Sequence, residues 1–88
     1  MHFVYMIRNS IDKLYIGISK NPHVRLQYHN QKRGAQFTKK ISAFKIVFLE
    51  KHLTLAGARK REIQIKKWKR KKKEILIAKY QEGLPTKA

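Results

Sequence analysis

The chain has 88 residues, no cysteine and only five acidic side chains. Without cysteine there is no disulfide framework, no thiolate zinc knuckle and no thiol nucleophile. That fits a reducing compartment, and the cytoplasm is the expected location, at the nucleoid if the partner is DNA. No segment approaches the roughly 20 apolar residues that a membrane-spanning helix needs. The opening Met1-His2-Phe3 lacks the basic-then-apolar layout of a signal peptide. A Gly-rich phosphate loop is missing, as are the Gly-x-Ser-x-Gly and His-Glu-x-x-His patterns. Secreted, disulfide-framed and membrane-spanning classes therefore drop out.

What is abundant is positive charge. Twenty-two Lys and Arg against five acids leave a formal charge of +17. Charges of one sign on so small a body repel one another, and a polyanion is the natural partner. Nucleic acid is the commonest polyanion, and ribosomal RNA or an acidic membrane surface fits the same number. Membrane adsorption is the weakest of these, because the most basic helix needs its apolar face for the core. High net charge alone reads as disorder. Here 42% hydrophobic residues in patterned blocks argue for a folded core, though a modest one at this length.

The blocks predict six elements. Residues 3–8, Phe-Val-Tyr-Met-Ile-Arg, are rich in β-branched and aromatic side chains and predict a strand. After a short polar turn, Leu14, Ile16 and Ile18 alternate with Tyr15 and Gly17, a second strand that closes an antiparallel hairpin. Asn21-Pro22 supplies a cap and a first helical residue. That helix should run to about residue 30 or 32, with Gly34 ending it. A basic loop over 35–42 leads into a third strand over 43–50, whose nearly continuous apolar run predicts burial on both faces. Thr54 caps a long helix from 55 to about 71, with Leu55, Ala58, Ile65 and Trp68 on one arc. Lys71-Lys72-Lys73 interrupts the pattern, and 74–80 forms a short final helix. The reading is one α+β domain over 1–81, a small three-stranded antiparallel sheet flanked by helices in the order β-β-α-β-α-α. Residues 82–88 should form a loose tail.

Several residues could carry chemistry. Tyr5 and Tyr15 share a face of the hairpin when paired positions sum to an even number, and could lie opposite one another. Gly17 is on that same face, where a missing side chain leaves a gap for a ligand backbone. Half-buried packing tyrosines are the plainer reading. Arg25 and His29 lie one helical turn apart and project from one side of the first helix. That suits a phosphate clamp and a proton carrier, or merely a solvated basic face. His2, His23 and His52 show no metal-ligand spacing and read as surface residues.

Ten of the fifteen residues over 59–73 are Lys or Arg, with Glu62 the single acid among them. Its helical angle puts it beside the apolar arc, where an unpaired carboxylate is costly. Lys66 at i+4 is one partner; a hard divalent cation such as Mg²⁺ is the other. Two basic clusters could hold phosphates, one of Lys32, Arg33, Thr38, Lys39 and Lys40, the other of Arg59, Lys66, Lys69 and Arg70. Charge alone gives neither any sequence specificity.

Together these residues resemble the GIY-YIG nuclease superfamily. The second signature stands intact as Tyr15-Ile16-Gly17, and the first appears as Phe3-Val4-Tyr5, with nine residues separating Tyr5 from Tyr15. Arg25 and His29 fall where the family carries an arginine and a histidine. The stretch 61–66 is similar to the glutamate-bearing helix of small stand-alone bacterial members, and 34–38 to their basic loop. The sequence departs from the pattern at the first-signature glycine and isoleucine, and its final helix has no asparagine.

The resemblance implies metal-dependent phosphodiester cleavage of DNA rather than RNA, by a single Mg²⁺ or Mn²⁺ held on Glu62. It implies that Tyr5 activates or orients the attacking water, directly or through a second water. Arg25 would stabilise phosphoryl charge, and Tyr15 and His29 would position water or phosphate, with His29 as a proton shuttle. Gly17 and the two basic clusters would bind the nucleic acid. With no targeting domain attached, a protein partner for targeting is an open expectation. A noncatalytic nucleic-acid-binding or ribosome-associated module on the same scaffold is the alternative.

Overall fold

The computed structural model describes residues 1–33 and 43–87. It contains β1 (His2–Arg8), β2 (Leu14–Ser19), α1 (Pro22–Arg33), β3 (Lys45–His52), α2 (Leu55–Lys66) and α3 (Arg70–Gln81). The strands form one antiparallel sheet in the order β2-β1-β3, so the expected α+β architecture holds. None of the described helices is long and apolar enough to cross a membrane.

The central strand explains the core. Val4, Tyr5, Met6 and Ile7 are all buried, and consecutive strand residues point to opposite faces. Val4 and Met6 join Ile16, Phe48, Ala58, Ile65, Leu76 and Ile77 under α2 and α3. Tyr5 and Ile7 join Phe44 on the other face, with Leu26 of α1, Ile46 and Leu49 packed against them. The sheet is thus covered on both sides. Sequence reading placed continuous burial in the third strand, but β1 holds it. β3 is an edge strand, and only Phe48 and Glu50 are buried within it. It also begins and ends two residues later than expected. A bulge explains its mixed pattern: Met6 faces Phe48 while Ile7 faces Ile46, so Val47 is the extra residue.

Local signals set the hairpin and the helix starts. Asn9 Oδ1 accepts from Lys13 N at 2.9 Å, and Asp12 takes a φ of 65°, a conformation that Asp tolerates. Arg8 and Arg70 then tie Asp12 and Glu74 together, with Arg8 Nη2 2.6 Å and Arg70 Nε 2.7 Å from the Glu74 carboxylate. Asn21 Oδ1 caps α1 through Val24 N at 3.4 Å, and Thr54 Oγ1 caps α2 through Gly57 N at 3.0 Å.

The second helical region differs from expectation. α2 stops at Lys66 and α3 starts at Arg70, so the break falls around Trp68 and not at residues 71–73. A helix rises 1.5 Å per residue, so one continued straight would carry Leu76 and Ile77 away from the sheet. The corner at Trp68 folds α3 back, and Tyr80 meets Phe48 edge-on with ring centroids 5.7 Å apart. Gly83, at φ 73°, closes α3 while Leu84 N donates to Lys79 O at 2.8 Å. The segment expected as a loose tail lies along β3 as far as Lys87. Thr86 Oγ1 donates to Glu50 Oε2 at 2.9 Å, and Lys87 Nζ donates to the Lys51 carbonyl.

Candidate active site

The site is built outward from Tyr5. In the hairpin register Tyr5 lies opposite Gly17, and Tyr15 lies opposite Ile7. The two tyrosines therefore share a face but are offset along the strands. The gap expected above Gly17 is filled by the Tyr5 ring. A Cβ built on Gly17 would lie 2.6 Å from Tyr5 Oη and 2.7 Å from Cζ. Gly17 is itself buried, so its missing side chain makes room for a phenol, not for a ligand backbone.

Tyr5 is only 2% exposed. Burial pushes its pKa above the ordinary value of 10.0. A hydrogen bond and charge from Arg25 pull the other way, and the charges of Tyr15 and Glu62 push it up further. Positive charge from Arg25 favours the phenolate, but desolvation outweighs it and the phenol keeps its proton at neutral pH. α1 carries Arg25 and packs on the Tyr5 face through Leu26, whereas Glu62 lies on the inner side of α2 with Ala58 and Ile65, which cover the opposite face of the sheet.

His29 is held by aromatic contacts. Its ring lies 4.6 Å from the Tyr15 ring in an edge-on arrangement and 5.8 Å from Phe44. Sequence reading missed what fixes this stack. Asn30, one residue on, accepts from Phe44 N at 3.0 Å and donates to Phe44 O at 3.2 Å. That clip pins α1 to the start of β3. A polar residue facing a backbone distant in sequence leaves no local signal.

Glu62 is buried with Ala58 and Ile65 on the inner face of α2. Its side chain is 11% exposed, and Lys66 Nζ lies 3.4 Å from Oε2. The expected ion pair with Lys66 therefore forms. Among the described residues no three His, Cys, Asp or Glu side chains cluster as a metal site.

The neighbouring residue Arg61 points elsewhere, because consecutive helical side chains diverge by about 100°. It donates to Glu50 Oε1 at 2.9 Å and to the Thr86 carbonyl at 2.9 Å. Glu50 is 4% exposed and also lies 2.9 Å from His52 Nε2. A carboxylate only accepts, so the proton sits on that nitrogen. His52, expected at the surface, is thus part of a buried clasp. His2 is half-buried and His23 exposed.

The expected nucleic-acid contacts divide. Arg59, Lys66 and Lys69 are exposed. Arg70 is engaged with Glu74 and Asp12. Lys32 and Arg33 occupy the last turn of α1. Thr38, Lys39 and Lys40 lie outside the described residues.

Comparison with known proteins agrees with this geometry. Residues 1–75 match the model of the GIY-YIG catalytic domain. The UPF0213 proteins of Staphylococcus aureus strains Mu3, Mu50 and N315 are each 40% identical over 76 residues, 86% of this chain and 93% of theirs. No solved structure matches. With both nuclease-signature tyrosines on one face and the family match spanning the sheet, α1 and α2, the chain belongs to the GIY-YIG family.

Proposed function

We propose that the protein is a metal-dependent endonuclease that hydrolyses phosphodiester bonds in DNA, tolerant of substrate structure, as a repair or recombination activity would require. The observation that carries this reading is that Tyr5 and Tyr15 share one face of the hairpin, with His29 of α1 stacked on Tyr15, in a chain of charge +17 that matches the GIY-YIG catalytic domain over residues 1–75. Cytoplasmic residence at the nucleoid, and a protein partner for targeting, belong to the same proposal.

The residues present fit a single Mg²⁺ or Mn²⁺. Mg²⁺ accepts one or two carboxylates and fills its other positions with water and substrate phosphate. Glu62 is one such carboxylate, and its 3.4 Å contact to Lys66 is longer than the 2.7–2.9 Å typical of a strong charge-assisted bond. Its oxygens therefore keep lone pairs to offer. When bound there, the ion would polarise the phosphoryl oxygen and ease departure of the leaving oxygen.

The chain's own side chains do the rest. Tyr5, protonated and fixed over Gly17, orients the attacking water through its hydroxyl and is not a standing phenolate. Arg25, exposed on α1 with its guanidinium 5.7 Å from the Tyr28 ring centroid, presents its donors to phosphoryl oxygens. Tyr15, 42% exposed, reaches solvent and positions the phosphate. His29, steadied between Tyr15 and Phe44, carries the proton, since imidazole is the side chain that ordinarily exchanges one near neutral pH.

The test is cleavage of single-stranded, duplex and branched oligonucleotides with fresh Mg²⁺ or Mn²⁺. Glu62→Ala should abolish cutting while circular dichroism stays native. Absence of cutting by the unaltered protein under every condition would sink the proposal. The ion pair with Lys66 favours one second reading, a noncatalytic nucleic-acid-binding module, including one bound to the ribosome. It requires tight binding, insensitive to substitution of Tyr5 or Glu62.

A further inference from the structure

Beside the candidate active site lies a cleft of about 270 Å³ lined by Leu14, Tyr15, Ile16, Lys66 and Lys73. β2 supplies its apolar floor and Tyr15, while α2 and α3 supply one lysine each. That volume falls below the roughly 300–1,000 Å³ of small-molecule pockets but is ample for one phosphodiester group. Lys73 is partly buried here, whereas Lys71 and Lys72 beside it are exposed. Among the described residues Lys73 has no ion-pair partner, and Lys66 has only Glu62. Lys66 and Lys73 bring two positively charged side chains to the walls of one cleft, and like charges repel unless an anion lies between them.

Lys66 is shared between the cleft and the catalytic carboxylate. A divalent cation on Glu62 carries twice the charge of the ammonium it meets and repels it. The released side chain already forms a wall of the cleft, so little movement turns it toward an anion there.

We propose that Lys66, Lys73 and Tyr15 form a subsite for the substrate phosphate next to the scissile one, and that Lys66 joins it by leaving Glu62 when a divalent cation takes the carboxylate. The subsite rests on the nuclease reading of Glu62. Through it the basic corner between α2 and α3 couples metal occupancy to grip on the strand.

The test uses the full chain with Lys66→Met, Lys73→Met and, as a charge-matched control, Lys79→Met on the last turn of α3, outside this cleft. Calorimetry with Mn²⁺ alone should show Lys66→Met binding the ion several-fold tighter, because its competitor is gone. The other two variants should stay within about twofold of the unaltered chain. Binding to a duplex oligonucleotide is then measured in Ca²⁺ and in EDTA over a salt series. In Ca²⁺, Lys66→Met and Lys73→Met should each lose about fivefold or more in affinity and flatten the salt slope by about one. Lys79→Met should lose less than that. In EDTA the Lys66→Met deficit should vanish while that of Lys73→Met persists.

A Lys73→Met variant indistinguishable from Lys79→Met would overturn the subsite, and unchanged Mn²⁺ affinity in Lys66→Met would overturn the exchange. If the unaltered chain cuts DNA while these outcomes occur, only this inference falls. If it neither binds Mn²⁺ nor cuts, the nuclease reading falls and takes the subsite with it.

Discussion

Gly17→Ala is the sharpest single perturbation of this molecule. The added methyl would lie 2.6 Å from Tyr5 Oη and 2.7 Å from Cζ. Ordinary contact needs at least 3.4 Å, so the phenol must retreat by the better part of an ångström. It has little room, because Tyr5 is 2% exposed on the central strand and stands among Ile7, Phe44 and Leu26. Overpacking of this kind costs about 1–3 kcal/mol. A domain of 88 residues has a total stability of about 4–13 kcal/mol, so the loss is large but survivable. A displacement approaching 1 Å at a catalytic group lowers rate by about 10²-fold. Urea unfolding should therefore show a lower midpoint at unchanged slope, with cleavage falling far more than the folded fraction does. The cause is checked by repeating the substitution in a Tyr5→Leu background, where the shorter side chain does not reach Gly17. There the stability cost of Gly17→Ala should shrink to less than half. An equal cost in both backgrounds would refute the clash as its origin.

Three further outcomes follow from the same geometry. Glu50 is desolvated, which alone would raise its pKa, yet hydrogen bonds from Arg61, His52 and Thr86 win and hold it below the ordinary 4.5. Its contribution to stability is therefore complete above that value and is lost as pH falls through the lower folded value; Glu50→Gln should cost up to about 3–5 kcal/mol at neutral pH and flatten the acid limb in thermal melts. Asn30→Ala removes both bonds to the Phe44 backbone and should cost about 1–3 kcal/mol in urea unfolding, with cleavage reduced as His29 loses its backing. Binding to nucleic acid with about six phosphates neutralised should weaken roughly 10³-fold between 50 and 200 mM salt, and a flat titration would contradict an electrostatic interface.

The sequence made the near-range decisions legible. Strand parity put Tyr5 and Tyr15 on one face, Asn21-Pro22 and Thr54 started the helices, and the angle of Glu62 put it on the inner side of α2. Each rests on a period or a cap that acts within a few residues. What escaped depends on partners far along the chain. The corner at Trp68 contains neither Gly nor Pro, and only the need to return Leu76 and Ile77 to Phe48 explains it. The clasp of Glu50 with Arg61 and Thr86, and the clip of Asn30 on Phe44, join segments whose proximity the fold alone creates. The filled space over Gly17 escaped for a related reason: alternation gives the face of a residue but not which ring sweeps across it. The protonation of Tyr5 required knowing how deeply it is buried against how well Arg25 compensates.

The central claim is that Tyr5, Tyr15, Arg25, His29 and Glu62 act as one metal-dependent site. A crystal of the full chain soaked in Mn²⁺ and measured for anomalous scattering tests it most directly. One strong peak is expected at about 2.1 Å from a Glu62 oxygen, on the side facing Tyr5, with Lys66 turned away. No peak at Glu62, with Lys66 still paired to it, or a peak remote from both tyrosines, would contradict it.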